Sequence, residues 1–267
     1  MTRCVLMVAA LLAGAAPLAA QTAPPFPASQ EQAPSPGDPA FLSRFAFHLN
    51  AEHLSGDDDR FVWDTQFGGE IDLVDFGAGR GTFYANYQAI LGEQFRRFDP
   101  SHGNYLLGGV LVGRAAGLEI GGVFHHESRH LSDRPKRFAI DWNMLGARVR
   151  RIGTAGDLGY DARAEVRKVI FKSYVDYTWD AEGEVRLRQP LTRVMSAIAG
   201  GTVRLVGTDG SRDRGMQTGA RGEGGIRLDG RGAAAELFVA VERRTDPDPL
   251  EFFTANWFTV GFRLVSK

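Results

Sequence analysis

Residues 41–52, FLSRFAFHLNAE, indicate the fold class because apolar and polar side chains alternate along them with a period of two. Phe47 and Leu49 fall on one parity, whereas His48 and Asn50 fall on the other. Such alternation is typical of a β-strand with one apolar and one polar face. The stretch therefore predicts a strand that separates two very different environments.

The same pattern recurs to the C-terminus in twelve segments. Between residues 40 and 267 there are 228 residues, which leaves 19 for each strand and its connection. About 9–11 residues of a tilted strand cross a bilayer, so each segment is long enough to span one and still turn. The segments are 41–52, 61–73, 82–91, 104–114, 116–130, 138–151, 157–171, 174–188, 193–206, 215–229, 231–244 and 254–265.

The N-terminal residues 1–20 have the features of a secretory signal peptide. Arg3 supplies the positive charge, Val5 to Ala16 form a short apolar run, and small residues follow at the expected cleavage site. Removal of this segment would also remove Cys4, the only cysteine. The mature chain is then expected to have neither a disulfide framework nor a thiolate metal site.

The rest of the chain divides into a Pro-rich linker at 21–39 and a barrel domain at 40–267. Without the signal peptide the chain has 30 Lys and Arg against 32 Asp and Glu, a net charge of −2. This balance is a poor match for nucleic-acid binding, so we expect no nucleic-acid partner. Because no later run reaches 18 apolar residues, a helical membrane span is not predicted either.

Two features favour a membrane barrel whose apolar face points outward. On the polar face of residues 217–227, opposite charges occur together with glycine, as expected for a crowded lumen lined by ion pairs. Connections also alternate between short ones, such as 114–117 and 229–232, and longer charged ones, such as 55–60 and 207–214. We therefore predict an all-β, up-and-down antiparallel transmembrane β-barrel of about twelve strands in the bacterial outer membrane, with both termini in the periplasm. A soluble barrel or sandwich is the alternative, because it has the same period.

Four tryptophans are candidates for the aromatic girdles of such a barrel. Trp63, Trp142, Trp179 and Trp257 each have phenylalanine or tyrosine nearby in the sequence. Aromatic girdles lie at both membrane–water interfaces of outer-membrane barrels. We expect these four side chains on the outer wall.

The densest polar cluster is residues 123–134, VFHHESRHLSDR, at the end of the fifth segment. His126 and Ser128 continue the apolar parity of Phe124, so they are predicted to face lipid. Polar groups on that side are costly and indicate a function. A histidine and a serine two residues apart on one strand face have the spacing of a general base and its nucleophile.

These residues resemble those of outer-membrane phospholipase A, a twelve-stranded barrel with a catalytic His-x-Ser on its outer wall. They are also similar to the His-x-Ser of lipid A deacylase barrels. In the phospholipase a Trp-Asn pair follows on the next strand, as Trp142-Asn143 does here. The resemblance implies that Ser128 is the nucleophile, His126 the base and Asn143 the residue that orients the base.

The same resemblance implies calcium, with Ser132 and Asp133 as ligands, and no other cofactor. The chain departs from the family at Arg129-His130, where Asn-Gly usually follows the serine. It also has a few more residues between His126 and the asparagine.

Parity raises a conflict over Asn143. Residues Ile140, Trp142 and Met144 make the even face of the sixth segment apolar, which sends Asn143 to the lumen, opposite Ser128. A β-bulge near Asn143 would turn it outward. The pattern alone leaves both arrangements open.

A second resemblance concerns the string His-x-Ser-x-His-Leu-x-Asp, formed by His126, Ser128, His130, Leu131 and Asp133. It is similar to a string in an uncharacterised family of bacterial outer-membrane proteins with no established activity. Two functions therefore stand side by side: a lipid acyl hydrolase, and a non-enzymatic barrel that is a narrow pore or a structural protein. The expected partner is membrane lipid, either phospholipid or lipopolysaccharide, and a homodimer is left open.

Overall fold

The computed structural model describes residues 38–132 and 134–266 and forms one closed barrel of twelve antiparallel strands. Each strand pairs with its neighbour in sequence, and β1 closes the barrel against β12. The predicted fold class and strand number are therefore confirmed. The strands are β1 (Ala40–Leu54), β2 (Trp63–Asp75), β3 (Gly79–Gly92), β4 (Asp99–Ala115), β5 (Leu118–His130), β6 (Asp141–Ala155), β7 (Leu158–Ser173), β8 (Tyr177–Pro190), β9 (Met195–Thr208), β10 (Gln217–Asp229), β11 (Ala233–Thr245) and β12 (Thr254–Ser266).

Several predictions from the sequence lie outside the described residues. These are the signal peptide, all of the linker except its last two residues, and the side chain of Asp133. No helix in the described part of the chain is long and apolar enough to cross a membrane.

The two faces of the barrel wall differ as the alternation predicts. On β1, Phe47 and Leu49 are exposed on the outside, whereas His48, Asn50 and Glu52 are buried inside. An apolar outer wall and a polar interior are the distribution of a transmembrane barrel, because lipid surrounds the wall and polar groups satisfy one another within. The chain is a β-barrel of the bacterial outer membrane.

The two ends of the barrel differ in the length of their connections. At the end with both termini the turns are short, for example 116–117 and 156–157. At the opposite end lie the longer connections, including 131–140 and 246–253. Since short turns face the periplasm in this class of barrel, the longer loops lie on the extracellular side.

Buried ion pairs fill the middle of the lumen. Arg167, whose side chain is 2% exposed, lies 2.8 Å from Asp180 and 2.9 Å from Glu165. On the other side of the barrel, Arg244 lies 2.7 Å from Asp64. Charges in such a site need close partners, because the cost of removing them from water is several kcal/mol for each ion.

Towards the extracellular end, the filling of the lumen changes from charged to apolar side chains. One buried cluster there includes Trp142, Met144 and Tyr177, and a second includes Phe61 and Trp257. The expectation that all four tryptophans lie on the outer wall is wrong for Trp142 and Trp257, which are 0% and 7% exposed. Parity misassigned them because the extracellular half of the lumen itself has an apolar core.

Side chains of the loops contact one another at the extracellular end of the lumen. Arg214 bridges two loops, with ion pairs of 2.5 Å to Asp176 and 2.7 Å to Asp246. Tyr174 and Phe252 pack beside it with their ring centroids 5.8 Å apart. Towards the other end, a cavity of about 390 Å³ is lined by residues of β6 to β12, among them Tyr160, Arg188 and Arg263.

Candidate active site on the outer wall

The predicted site residues lie on two neighbouring strands of the outer wall. In the register of β5 and β6, His126 pairs with Asn143 and Ser128 pairs with Asp141. All four side chains are half-buried and lie on the outward face of their strands. On the other neighbour of β5, Tyr105 of β4 pairs with Ser128. The wall therefore gathers polar groups at one level of an otherwise apolar surface.

Asn143 faces outward with His126. The sequence left the direction of Asn143 open, and the positions of the apolar residues next to it in β6 decide it. Trp142 and Met144 are buried in the lumen, so the even face of β6 is the inner one. The pairing of β5 with β6 is regular from residues 119 to 128, and no bulge is needed there. The irregularity lies instead in the pairing of β6 with β7, between Asn143 and Met144.

His126 and Asn143 form a short hydrogen bond. Nδ1 of His126 donates to Oδ1 of Asn143 at 2.7 Å. Because a carbonyl oxygen only accepts, this contact assigns the hydrogen of the neutral ring to Nδ1 and leaves Nε2 as an acceptor. An imidazole held in this tautomer can act as a general base.

Ser128 does not contact His126 in the same arrangement. Its Oγ lies 3.4 Å from Nε2 of His130, and no hydrogen bond joins it to His126 within the described residues. The two histidines stand two residues before and after Ser128 on the same face, each about 7 Å away along the strand. A change of Ser128 between staggered χ1 rotamers would turn its hydroxyl from one imidazole towards the other.

A row of aromatic rings lies beside Ser128 on the outer wall. Tyr105 meets His130 edge to face with ring centroids 5.2 Å apart, and Tyr87 lies 4.8 Å from Tyr105. Phe67 continues the row, 5.3 Å from Tyr87. The sequence prediction missed this row and also Asp141. Asp141 lies on the same face of β6 as Asn143. Because the even-numbered residues of β6 face inward, Asp141 faces outward beside Ser128.

The inner side of the same wall is held by buried polar groups. Nε of Arg129 donates to Glu127 at 3.4 Å, and its guanidinium lies 5.3 Å from the ring of Trp142. The hydroxyl of Tyr84 donates to the backbone oxygen of Phe124 at 3.1 Å. These contacts fix the backbone of β5 directly behind the outward-facing His126 and Ser128.

Of the two predicted calcium ligands, Ser132 lies in the loop that follows β5. Ser132 has a φ of 50°, and its Oγ is buried with no hydrogen-bond partner in the part of the chain that the structure describes. This hydroxyl offers one oxygen to a cation, whereas Asp133 lies outside the described residues. No group of three His, Cys, Asp or Glu side chains suited to a metal occurs among residues 38–132 and 134–266. Calcium therefore stays a prediction.

Inside the barrel lies another cluster, formed by a serine, a histidine and an aspartate. Nε2 of His102 lies 3.2 Å from Oδ2 of Asp248, and Nδ1 lies 3.3 Å from Oγ of Ser101. Ser101 is 0% exposed, and its hydroxyl lies 2.8 Å from the backbone oxygen of Arg60. Because it is buried and bonded to the backbone, this serine has no access to a substrate. The cluster instead anchors an extracellular loop, since Arg60 also lies 3.1 Å from Asp248.

The anchoring by Asp248 predicts a pH dependence of the loop at 246–253. Although burial opposes ionisation, the hydrogen bonds of the carboxylate with His102 and with the backbone N–H of Leu250 lower the pKa of Asp248 to about 2. A carboxyl with a lowered pKa stabilises the folded loop above its unfolded pKa of about 3.9, and this stability is lost as the pH falls towards 2. We expect pepsin to cleave Asp248→Asn faster than the native chain at pH 4.

Because the activity of pepsin itself changes with pH, the quantity to compare is the cleavage rate of Asp248→Asn divided by that of the native chain at the same pH. The ratio should fall towards one at pH 2, where Asp248 of the native chain becomes protonated. A ratio that is the same at pH 4 and pH 2 would contradict an ionised anchor.

Known proteins similar to the chain are found among solved structures. No protein-family model and no curated protein sequence matches the chain. Among solved structures, the chain is similar to LpxR from Salmonella typhimurium, with 10% identity, 83% of this chain and 99% of that chain covered, and a TM-score of 0.47. It is also similar to the outer membrane protein Omp33 of Acinetobacter baumannii, with 10% identity, 84% and 97% covered, and a TM-score of 0.43. For OmpT of Vibrio cholerae the identity is 8%, the coverage 86% and 99%, and the TM-score 0.43.

Proposed function

We propose that the protein is an outer-membrane lipid acyl hydrolase with Ser128 as nucleophile, His126 as base and Asn143 as the residue that positions the base. The observation that carries this proposal is the hydrogen bond of 2.7 Å between His126 Nδ1 and Asn143 Oδ1 on the outer wall. A polar pair on a lipid-facing surface is costly unless it serves a purpose. Here the hydrogen bond to Asn143 leaves Nε2 of His126 free of hydrogen, so that this nitrogen can accept a proton.

The chemistry follows from these positions. Oγ of Ser128 attacks the carbonyl carbon of an acyl ester, and Nε2 of His126 takes the hydroxyl proton and returns it to the departing alcohol. The acyl group is then bound to Ser128. Water, activated by the same nitrogen, releases it as a fatty acid. Asn143 keeps the imidazole in one tautomer and one orientation through both halves of the reaction.

The outer wall suits this reaction because the substrate is already there. Acyl chains of membrane lipid lie against the exposed side chains around the site, such as Leu107 and Phe124. The ester of such a lipid sits near the membrane surface, and Ser128 lies at the extracellular end of β5, two residues before its last residue. No lumen is needed, which agrees with the buried ion pairs that fill it.

The direct test is release of fatty acid by the purified protein in detergent micelles. Phospholipid and lipopolysaccharide should be offered separately, each with calcium and with a calcium chelator. Release from either lipid supports the hydrolase. Absence of release from both, with or without calcium, would favour the non-enzymatic barrel, and the filled lumen then points to a structural protein more than to a pore.

Replacement of the positioning residue gives a sharper prediction. We expect Asn143→Ala to lower kcat about 10- to 100-fold, as loss of an orienting partner typically does, with a smaller change in KM. The matched control is Asn256→Ala, since Asn256 is exposed near the start of β12 and makes no side-chain hydrogen bond within the described residues. Equal activities of the two variants would show that the contact between Asn143 and His126 has no catalytic role.

A further inference from the structure

Positive charge on the extracellular rim is concentrated in the two loops next to the candidate site. Residues 93–98 and 131–140 contain five cations against two carboxylates. The other four extracellular connections together contain three cations against nine carboxylates. We name the five cations the cationic rim; they are Arg96, Arg97, Arg134, Lys136 and Arg137.

The two loops are held together above the site. Nη2 of Arg134 lies 2.9 Å from Oδ2 of Asp99, and Nε of Arg96 lies 3.7 Å from the same carboxylate. The Arg134 guanidinium also lies over the ring of Phe95, 5.1 Å from its centroid. The loops that follow β3 and β5 therefore form one continuous surface.

Most of this surface is exposed, and two of its cations have no carboxylate partner in the described part of the chain. The side chain of Arg96 is 66% exposed. Arg97 and Arg137 are exposed, and neither makes an ion pair or hydrogen bond within residues 38–132 and 134–266. Charges that are free of carboxylates in a folded protein are available to an external anion.

Exposed aromatic rings accompany these cations. Phe95, Phe98 and Phe138 are 79%, 59% and 44% exposed. Phe98 packs against Trp63 of the outer wall with ring centroids 6.3 Å apart, so this loop lies on the lipid side of the barrel. Aromatic rings beside arginine and lysine are typical of a membrane interface, where rings enter the headgroup region and cations contact headgroup anions.

Lys136 connects the cationic rim to the candidate site. Its ammonium donates to the backbone oxygen of Arg129, next to Ser128. Burial lowers the pKa of Lys136, and the charge of Asp141, the strand partner of Ser128, opposes this effect. A headgroup bound here would have its acyl chains beside Ser128.

We propose that the cationic rim binds the phosphate groups of an anionic lipid of the outer leaflet, and that this phosphorylated lipid is the class of substrate presented to Ser128. The binding surface stands on its own charges and exposure, whereas its link to turnover rests on the proposed function. The charge distribution favours a headgroup with exposed phosphates over a zwitterionic headgroup, because Arg97 and Arg137 have no carboxylate partner among residues 38–132 and 134–266. Guanidinium groups also bind phosphate oxygens in a bidentate manner.

The test measures lipid binding by native mass spectrometry of the protein released from nanodiscs. The discs contain phosphatidylcholine with increasing amounts of bisphosphorylated lipid A, and all variants also carry Ser128→Ala, which excludes turnover. We expect R97Q/R137Q to bind this lipid about 10- to 30-fold more weakly, since each cation near a membrane surface contributes about 1 kcal/mol. The matched control is R193Q/R231Q, which removes two exposed arginines from turns at the periplasmic end.

Three outcomes bear on the proposal. Weaker binding by R97Q/R137Q alone, together with weak binding of dephosphorylated lipid A to the parent protein, supports it. Equal binding by the two double variants overturns it, and so does equal binding of the phosphorylated and dephosphorylated lipids. Failure of the proposed function is distinguishable, because a protein with native Ser128 would then bind the lipid at the cationic rim and release no fatty acid.

Discussion

Ser128→Ala is expected to lower the rate of fatty-acid release at least about 10³-fold, because loss of the nucleophile removes the covalent route entirely. The side chain is half-buried on the outer wall, and within the described residues its hydroxyl makes one weak hydrogen bond, of 3.4 Å, with His130. Its removal should therefore leave the barrel intact. The measurement is fatty-acid release in micelles, with thermal unfolding followed by circular dichroism to show that the variant is folded.

Variants of the two neighbouring histidines decide which imidazole is the base. We expect His126→Gln to lose activity nearly as completely as Ser128→Ala, because Asn143 orients only His126. His130→Gln should retain most of the activity, since the Ser128 hydroxyl can still turn towards His126. The opposite result would assign the base to His130. Ser43→Ala is the matched control, because Ser43 is exposed on β1, away from the site.

Arg167→Met is expected to lower the free energy of unfolding by about 3–5 kcal/mol, the usual cost of breaking a buried ion pair by removing one partner. Arg167 contacts Asp180 at 2.8 Å and Glu165 at 2.9 Å, and its side chain is 2% exposed. Without the guanidinium, each of these buried carboxylates loses one cationic partner, and the contacts that remain at 2.6 Å are those of Arg204 with Asp180 and of Arg148 with Glu165. Methionine fills a similar volume and restores none of the charge.

The stability measurement is urea-dependent folding into lipid vesicles, followed by tryptophan fluorescence. Arg231→Met is the control, because Arg231 is exposed in the turn between β10 and β11 and should change stability by no more than about 0.5 kcal/mol. A loss below about 1 kcal/mol for Arg167→Met would indicate that water reaches the lumen and screens the remaining carboxylates.

The strand pattern could be read from the sequence because lipid and lumen impose opposite demands on alternate residues. Alternation along β1 and β5 predicted both strands and both faces, including the outward position of His126 and Ser128. The number of strands followed from the same period. These features are local, since each depends on residues two apart along one strand.

Other features depend on residues that are far apart in the sequence. The outward position of Asn143 depends on Trp142 and Met144 packing into an apolar lumen core with Tyr177 and Val206, from β8 and β9. Alternation on β6 shows which residues share a face. It does not show which face is inside when both environments at that level accept apolar groups.

A twelve-stranded outer-membrane barrel with a polar His-Ser pair on its apolar face could be predicted from the residues alone, because alternation with a period of two reflects the contrast between lipid and lumen. The contact of Asn143 with His126, the position of Asp141 beside Ser128 and the cationic rim above them became visible in the folded barrel. Cross-strand register and loop packing bring these residues together, and both depend on the closure of the barrel, which leaves no local pattern along the chain.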